Sequence, residues 1–96
     1  METESALQTL RILKQRRVDL LMIEWRLCGD GEFIKQIRSE AAMSTIPVVV
    51  IGSKRGEADE ALSAGADVFV KRPIPAKGLL RVVQALIRER HPIVYA

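Results

Sequence analysis

The sequence predicts an α/β fold, with three parallel strands and four helices in the order α-β-α-β-α-β-α. Three observations carry this. Short apolar runs, rich in β-branched residues, recur between segments with helical spacing. The runs lack polar alternation, as expected of strands buried on both faces of a parallel sheet. Strand and helix patterns also alternate along the whole chain, which points to right-handed crossovers.

The elements follow in order. Ser5 with Gln8 fits a capping box, and Ala6, Leu7, Leu10 and Leu13 recur at helical spacing, so a helix runs from Ser5 to about Arg16. Val18 to Glu24 is a nearly continuous apolar strand, and Trp25 to Gly31 a loop. Glu32 to Glu40 is a second helix with Phe33, Ile34 and Ile37 inward. Ile46 to Ile51 is a β-branched strand, followed by a loop from Gly52 to Gly56. Glu57 to Ala64 is a short helix stopped by Gly65, and Asp67 to Val70 a third strand. After the turn Lys71-Arg72-Pro73-Ile74-Pro75, Pro75 opens a last helix striped by Leu79, Val82, Val83, Leu86 and Ile87. His91-Pro92 ends it, leaving a short apolar tail.

Ninety-six residues suit one domain, spanning 1–96, and 48% hydrophobic against 28% charged residues reads as globular. The single cysteine, Cys28, excludes an internal disulfide and suits a reducing cytoplasm. The first ten residues lack the basic and apolar regions of a signal peptide. The longest apolar runs fall far short of the ~20 residues a membrane span needs, so no membrane partner is expected. One Cys and one His are too few for a zinc site. No phosphate-loop or dinucleotide motif is present. Net charge is +3, and Arg11, Lys14, Arg16, Arg17, Arg81, Arg88 and Arg90 gather where cations complement helix C-termini. No aromatic stacking surface accompanies them, so nucleic acid is not the expected partner.

Open parallel sheets place their sites at the carboxyl ends of the strands. The three loops there offer Glu24, Asp30, Ser53, Lys54, Lys71 and Arg72, a carboxylate set with cations. His91 lies at the far end of the last helix, away from any nucleophile.

Three stretches, taken in order, resemble response-regulator receiver domains of the CheY-like, flavodoxin-like class. The stretch from Arg16 to Gly31 is similar to the strand that ends in the phosphoacceptor aspartate and its following loop. Ile46 to Ser53 resembles the strand ending in the Thr/Ser switch. Ala61 to Ile74 resembles the Ala-Gly-Ala stretch, the next strand and the Lys-Pro pair. The resemblance covers about Ser5 to Arg90, yet only the last two-thirds of the family fold. It implies a signalling module of a two-component phosphorelay, not an enzyme.

The departures from that pattern bear on function. Glu24 falls at the phosphoacceptor position, Gly52 at the switch with Ser53 after it, and Arg72 at the lysine with Lys71 before it. Cys28 falls where the loop usually carries Pro. The family's first strand, with its magnesium-holding acidic pair, has no counterpart, nor do its first helix and second strand. Phosphotransfer to a carboxylate needs a divalent ion, held by one or two further carboxylates; with those acids missing, no metal or other cofactor is expected. Glu24 also carries an extra methylene, which moves its oxygens by about 1.5 Å. Two readings of Glu24 stay open: a fixed imitation of a phosphorylated aspartate paired with Arg72 or Lys71, or a polar strand terminus. The family's Lys-Pro bond is cis, which implies a cis bond before Pro73.

Without the family's first two strands, Leu20, Leu21, Met22 and Ile23 should form an unguarded sheet edge, and one sheet face should keep only the last helix. The expectation is self-association, as a homodimer or homo-oligomer joined at that edge or exchanging helices. Relocation of the first helix onto the bare face is the other way to cover it. The leading reading is a degenerate receiver-like interaction module, not phosphorylated, that meets itself or a signalling protein. The alternatives are a working phosphoacceptor receiver using Glu24 or Asp30, and a small basic nucleic-acid-binding protein.

Overall fold

A computed structural model describes residues 6–15, 18–86 and 93–95. The predicted helix start at Ser5, the cations Arg16, Arg17, Arg88 and Arg90, Ile87, and the His91-Pro92 stop lie outside these residues. The elements are α1 (Ala6–Gln15), β1 (Leu20–Glu24), α2 (Glu32–Ser39), β2 (Val48–Gly52), α3 (Gly56–Ala64), β3 (Val68–Lys71), α4 (Ala76–Leu86) and β4 (Ile93–Tyr95). The expected alternation of four helices with three parallel strands is present, and β4 is an addition to it.

The strand interiors explain the unbroken apolar runs. Side chains alternate between the two faces of a strand. Leu21, Ile23, Val48 and Val50 face one side, where Leu13 of α1, Phe33, Ile34 and Ile37 of α2, and Ala61 and Ala64 of α3 complete a core. Leu20, Met22, Val49 and Ile51 face the other, against Leu79, Val82 and Val83 of α4. The first helix therefore packs with α2 and α3 and does not move to the α4 face, as one expectation had it. Met43, in the turn after α2, is fully buried as well.

β2 starts two residues later than the apolar run suggests, because Pro47 has no N–H for a ladder. Its carbonyl still serves the sheet, accepting a 2.9 Å bond from the Leu21 N–H. The loop after β1 contains a short 3₁₀ turn, Trp25–Leu27, that the sequence reading missed.

The edge expected to be bare is not. The strand order is β3-β2-β1-β4, all parallel, so β1 is an interior strand. Leu20, Leu21 and Met22 stand in register with Ile93, Val94 and Tyr95. Ile23, expected to share the open edge, lies beyond that pairing, level with Val50 of β2. The physical reason is local: Ile-Val-Tyr is a strand-forming triplet, and the β1 edge carries N–H and C=O groups that need partners. Among the described residues the apolar side chains expected to be bare on the α4 face, Leu20, Met22, Val49 and Ile51, are buried. Among the described residues the large hydrophobic side chains left exposed are Leu62 and Leu80.

Candidate functional site

The carboxyl ends of β1, β2 and β3 bring Glu24, Gly52 and Arg72 together around a pocket of about 90 Å³. Trp25, Arg26, Ile51, Ser53 and Glu57 complete its wall. Glu24 ends β1, and its side chain is only 16% exposed. One carboxylate oxygen, Oε1, accepts a hydrogen bond from Nη2 of Arg72. The other, Oε2, accepts from Nε of Arg26 at 2.7 Å. Burial works to raise the Glu24 pKa, but the Arg72 hydrogen bond and the Arg26 and Arg72 charges outweigh it, and the group sits below its ordinary value.

Backbone geometry delivers Arg72 to this pair. The Arg72 N–H donates to the Gly52 carbonyl at 2.8 Å, continuing the β2–β3 ladder by one step. The Arg72-Pro73 peptide bond is cis. Lys71, the other cation at this loop, reaches the Arg72 carbonyl at 3.4 Å instead of Glu24.

Gly52, expected from sequence at the switch position, has surroundings that leave no space for a side chain. A Cβ there would stand 2.6 Å from Oε1 of Glu57 and 2.7 Å from Cε2 and Cζ of the Phe69 ring. The Glu57 carboxylate is held in place by the loop itself, accepting the Ser53 N–H at 2.9 Å and the Lys54 N–H at 3.0 Å. It sits in the first turn of α3, where a negative charge also complements the helix dipole.

Of the residues singled out from sequence, Glu24, Gly52, Ser53 and Arg72 line the pocket, and Asp30 does not. Asp30 sits in the turn before α2 with φ of 56°, a conformation Asp tolerates better than most residues. Arg26 and Glu57 were missed. Arg26 is brought back by the 3₁₀ turn, which leaves no periodic trace in three residues. Glu57 was legible as an acid in a first helical turn, though not as the partner of the preceding loop. Cys28 is buried, donates from Sγ to the Glu24 carbonyl at 3.5 Å, and has its thiol pushed up to about 12 by that burial.

No protein-family model matches the sequence. The phosphate regulon transcriptional regulatory protein PhoB of Klebsiella pneumoniae is 30% identical over 97 residues, covering 97% of this chain and 42% of its own length. The chain thus spans about two-fifths of the curated relatives of this kind. A putative response regulator from Chloroflexus aurantiacus superimposes with a TM-score of 0.83 at 18% identity, covering 91% of this chain and 75% of that one. The receiver domain of a sensor histidine kinase from Pseudomonas aeruginosa gives 0.79 at 20% identity with the same coverage. The chain thus has the fold of CheY-like response-regulator receiver domains and is similar in sequence to the receiver region of these regulators.

The Pseudomonas receiver carries a magnesium ion coordinated in its active-site cleft. The residues described here do not fit one. Both Glu24 oxygens are engaged by guanidinium groups, so two cations already stand where a divalent ion would need carboxylate oxygens. Among the described residues no three His, Cys, Asp or Glu side chains are grouped to hold a metal. Nor, among them, is any helix long and apolar enough to cross a membrane.

Proposed function

We propose that this receiver is a constitutive protein-interaction module of a two-component pathway that does not accept phosphate. The observation that carries the reading is the engagement of both Glu24 oxygens by Arg72 and Arg26. A carboxylate must offer a free oxygen to a phosphoryl group, with a metal to neutralise the incoming charge. Here the acceptor is neutralised by the protein itself. The pair also ties the end of β1 to the end of β3, and Gly52 supplies no hydroxyl to follow an added phosphoryl group. Glu24 with Arg72 is therefore read as a fixed charge pair holding one surface, since a charge shifts an equilibrium only where a second state exists. The partner is a signalling protein or a second copy of the chain, and the working compartment is the cytoplasm.

Incubation with acetyl phosphate and magnesium, followed by intact mass measurement, tests this directly. The expected spectrum is unchanged. A stoichiometric phosphoryl adduct on Glu24 or Asp30 would show a working phosphoacceptor instead.

A further inference from the structure

β4 is the shortest of the strands and the last described element of the chain. It pairs with three of the five β1 residues, Leu20, Leu21 and Met22, and leaves Ile23 and Glu24 beyond its reach. A three-residue strand at the edge of a sheet is the kind of element that opens locally without global unfolding. Opening it exposes the backbone edge of β1, beside an apolar sequence that has no guarding charge until Glu24. That edge accepts a parallel Ile-Val-Tyr strand, as its pairing within the chain demonstrates. The same segment carried by another molecule presents the same residues in the same register.

We propose that the β1 edge is a strand-docking site, closed within one chain by its own β4, and that the β4 of a second copy takes the same place. Reciprocal exchange then gives a closed two-fold dimer, using contacts that already exist in one chain. The inference rests on the self-association proposed above and specifies its surface. It replaces direct β1-to-β1 pairing, because β4 already occupies that edge. Concentration sets the balance, because only the exchanged form is bimolecular.

Met22 and Tyr95 are register partners, and neighbouring strands lie close enough for a disulfide. Chains carrying Met22→Cys and, separately, Tyr95→Cys are mixed at millimolar concentration, opened in mild denaturant, returned to buffer and oxidised. The expected product is a covalent heterodimer, at several-fold higher yield than with an off-register Leu62→Cys partner. Light scattering on the unmodified chain should show its mass rising twofold with concentration. Val94→Pro, which removes a backbone donor from the middle of the strand, should abolish that rise. A dimer that survives Val94→Pro, or one without the heterodimer cross-link, overturns tail exchange while leaving self-association standing. A monomer at every concentration overturns both. The scattering comparison needs neither cysteine variant, so it decides the question even if those chains fail to fold.

Discussion

Each end of the sheet is closed by arginine and carboxylate, and the two ends are built differently. At the amino ends of the strands, Arg38 donates to the carbonyls of Gly65, Ser44 and Ile46 at 2.9, 3.0 and 2.6 Å, and to Asp67 at 2.8 Å. Asp67 in turn accepts the Val48 N–H at 2.7 Å. One guanidinium thus ties α2 to the entries of β2 and β3, largely through main-chain groups that have no other rotamer to adopt. At the carboxyl ends, Glu24 meets Arg26 and Arg72 only through side chains, beside an open pocket. Arg38 is 22% exposed, whereas Arg72 is 42% and Arg26 72% exposed. The contrast teaches which cluster holds the fold and which is available for function. Receivers share the first kind of need with any α/β domain, while the second is where activity is gained or lost.

The largest expected effect comes from breaking the amino end. Arg38→Ala takes the guanidinium donor from three carbonyls and leaves the Asp67 carboxylate without its cationic partner, and should cost about 2–4 kcal/mol in a urea titration. Arg38→Lys should recover only part of this, because an ammonium cannot reproduce the planar fork. A loss of under half a kilocalorie on Arg38→Ala would erase the distinction between the two ends.

An intermediate effect is expected at Gly52. Gly52→Thr forces a Cβ against the Phe69 ring and the Glu57 carboxylate, an overpacking cost of about 1–3 kcal/mol. Pairing it with Phe69→Leu should give a smaller loss than the sum of the single changes, because the two residues share one space. Additive losses in equilibrium unfolding would mean that Phe69 does not define the site.

The smallest effect belongs to the Glu24 pair. At pH 7, Arg72→Ala should change stability by no more than about 1 kcal/mol, as for other partly exposed ion pairs. Its signature is pH dependence. The Glu24 pKa is depressed in the folded chain, so the pair contributes fully above the unfolded carboxyl value of about 4.3. That contribution is lost as pH falls through the lower folded value. Urea midpoints of the native chain and Arg72→Ala should therefore converge on acidification from pH 7. A gap that stays constant would place the stabilisation of Arg72 somewhere other than Glu24.

Much of this was legible in the chain alone. Apolar continuity in Val18 to Glu24 and in Ile46 to Ile51 marked β1 and β2, and three- and four-residue spacing marked the inward face of α2 at Phe33, Ile34 and Ile37. These are periodic, local signals, and burial on two faces dictates them. The pole of the sheet carrying the site was legible too, since parallel strands share one carboxyl end.

Tertiary structure decided the rest, for a common physical reason: each feature depends on where a distant group lies. Arg72, and not Lys71, meets Glu24 because the β2–β3 register aims one of two adjacent cations at the end of β1. Gly52 reads as a lost hydroxyl in sequence, but in space it is room already taken by Phe69 and Glu57. The β1 edge looked open because strand pairing across the length of the chain leaves no mark in local pattern, and β4 closes it from the far end. Sequence determined the strands and helices and the acid at the strand end; the folded chain decided which groups neutralise that acid and which strand covers the edge.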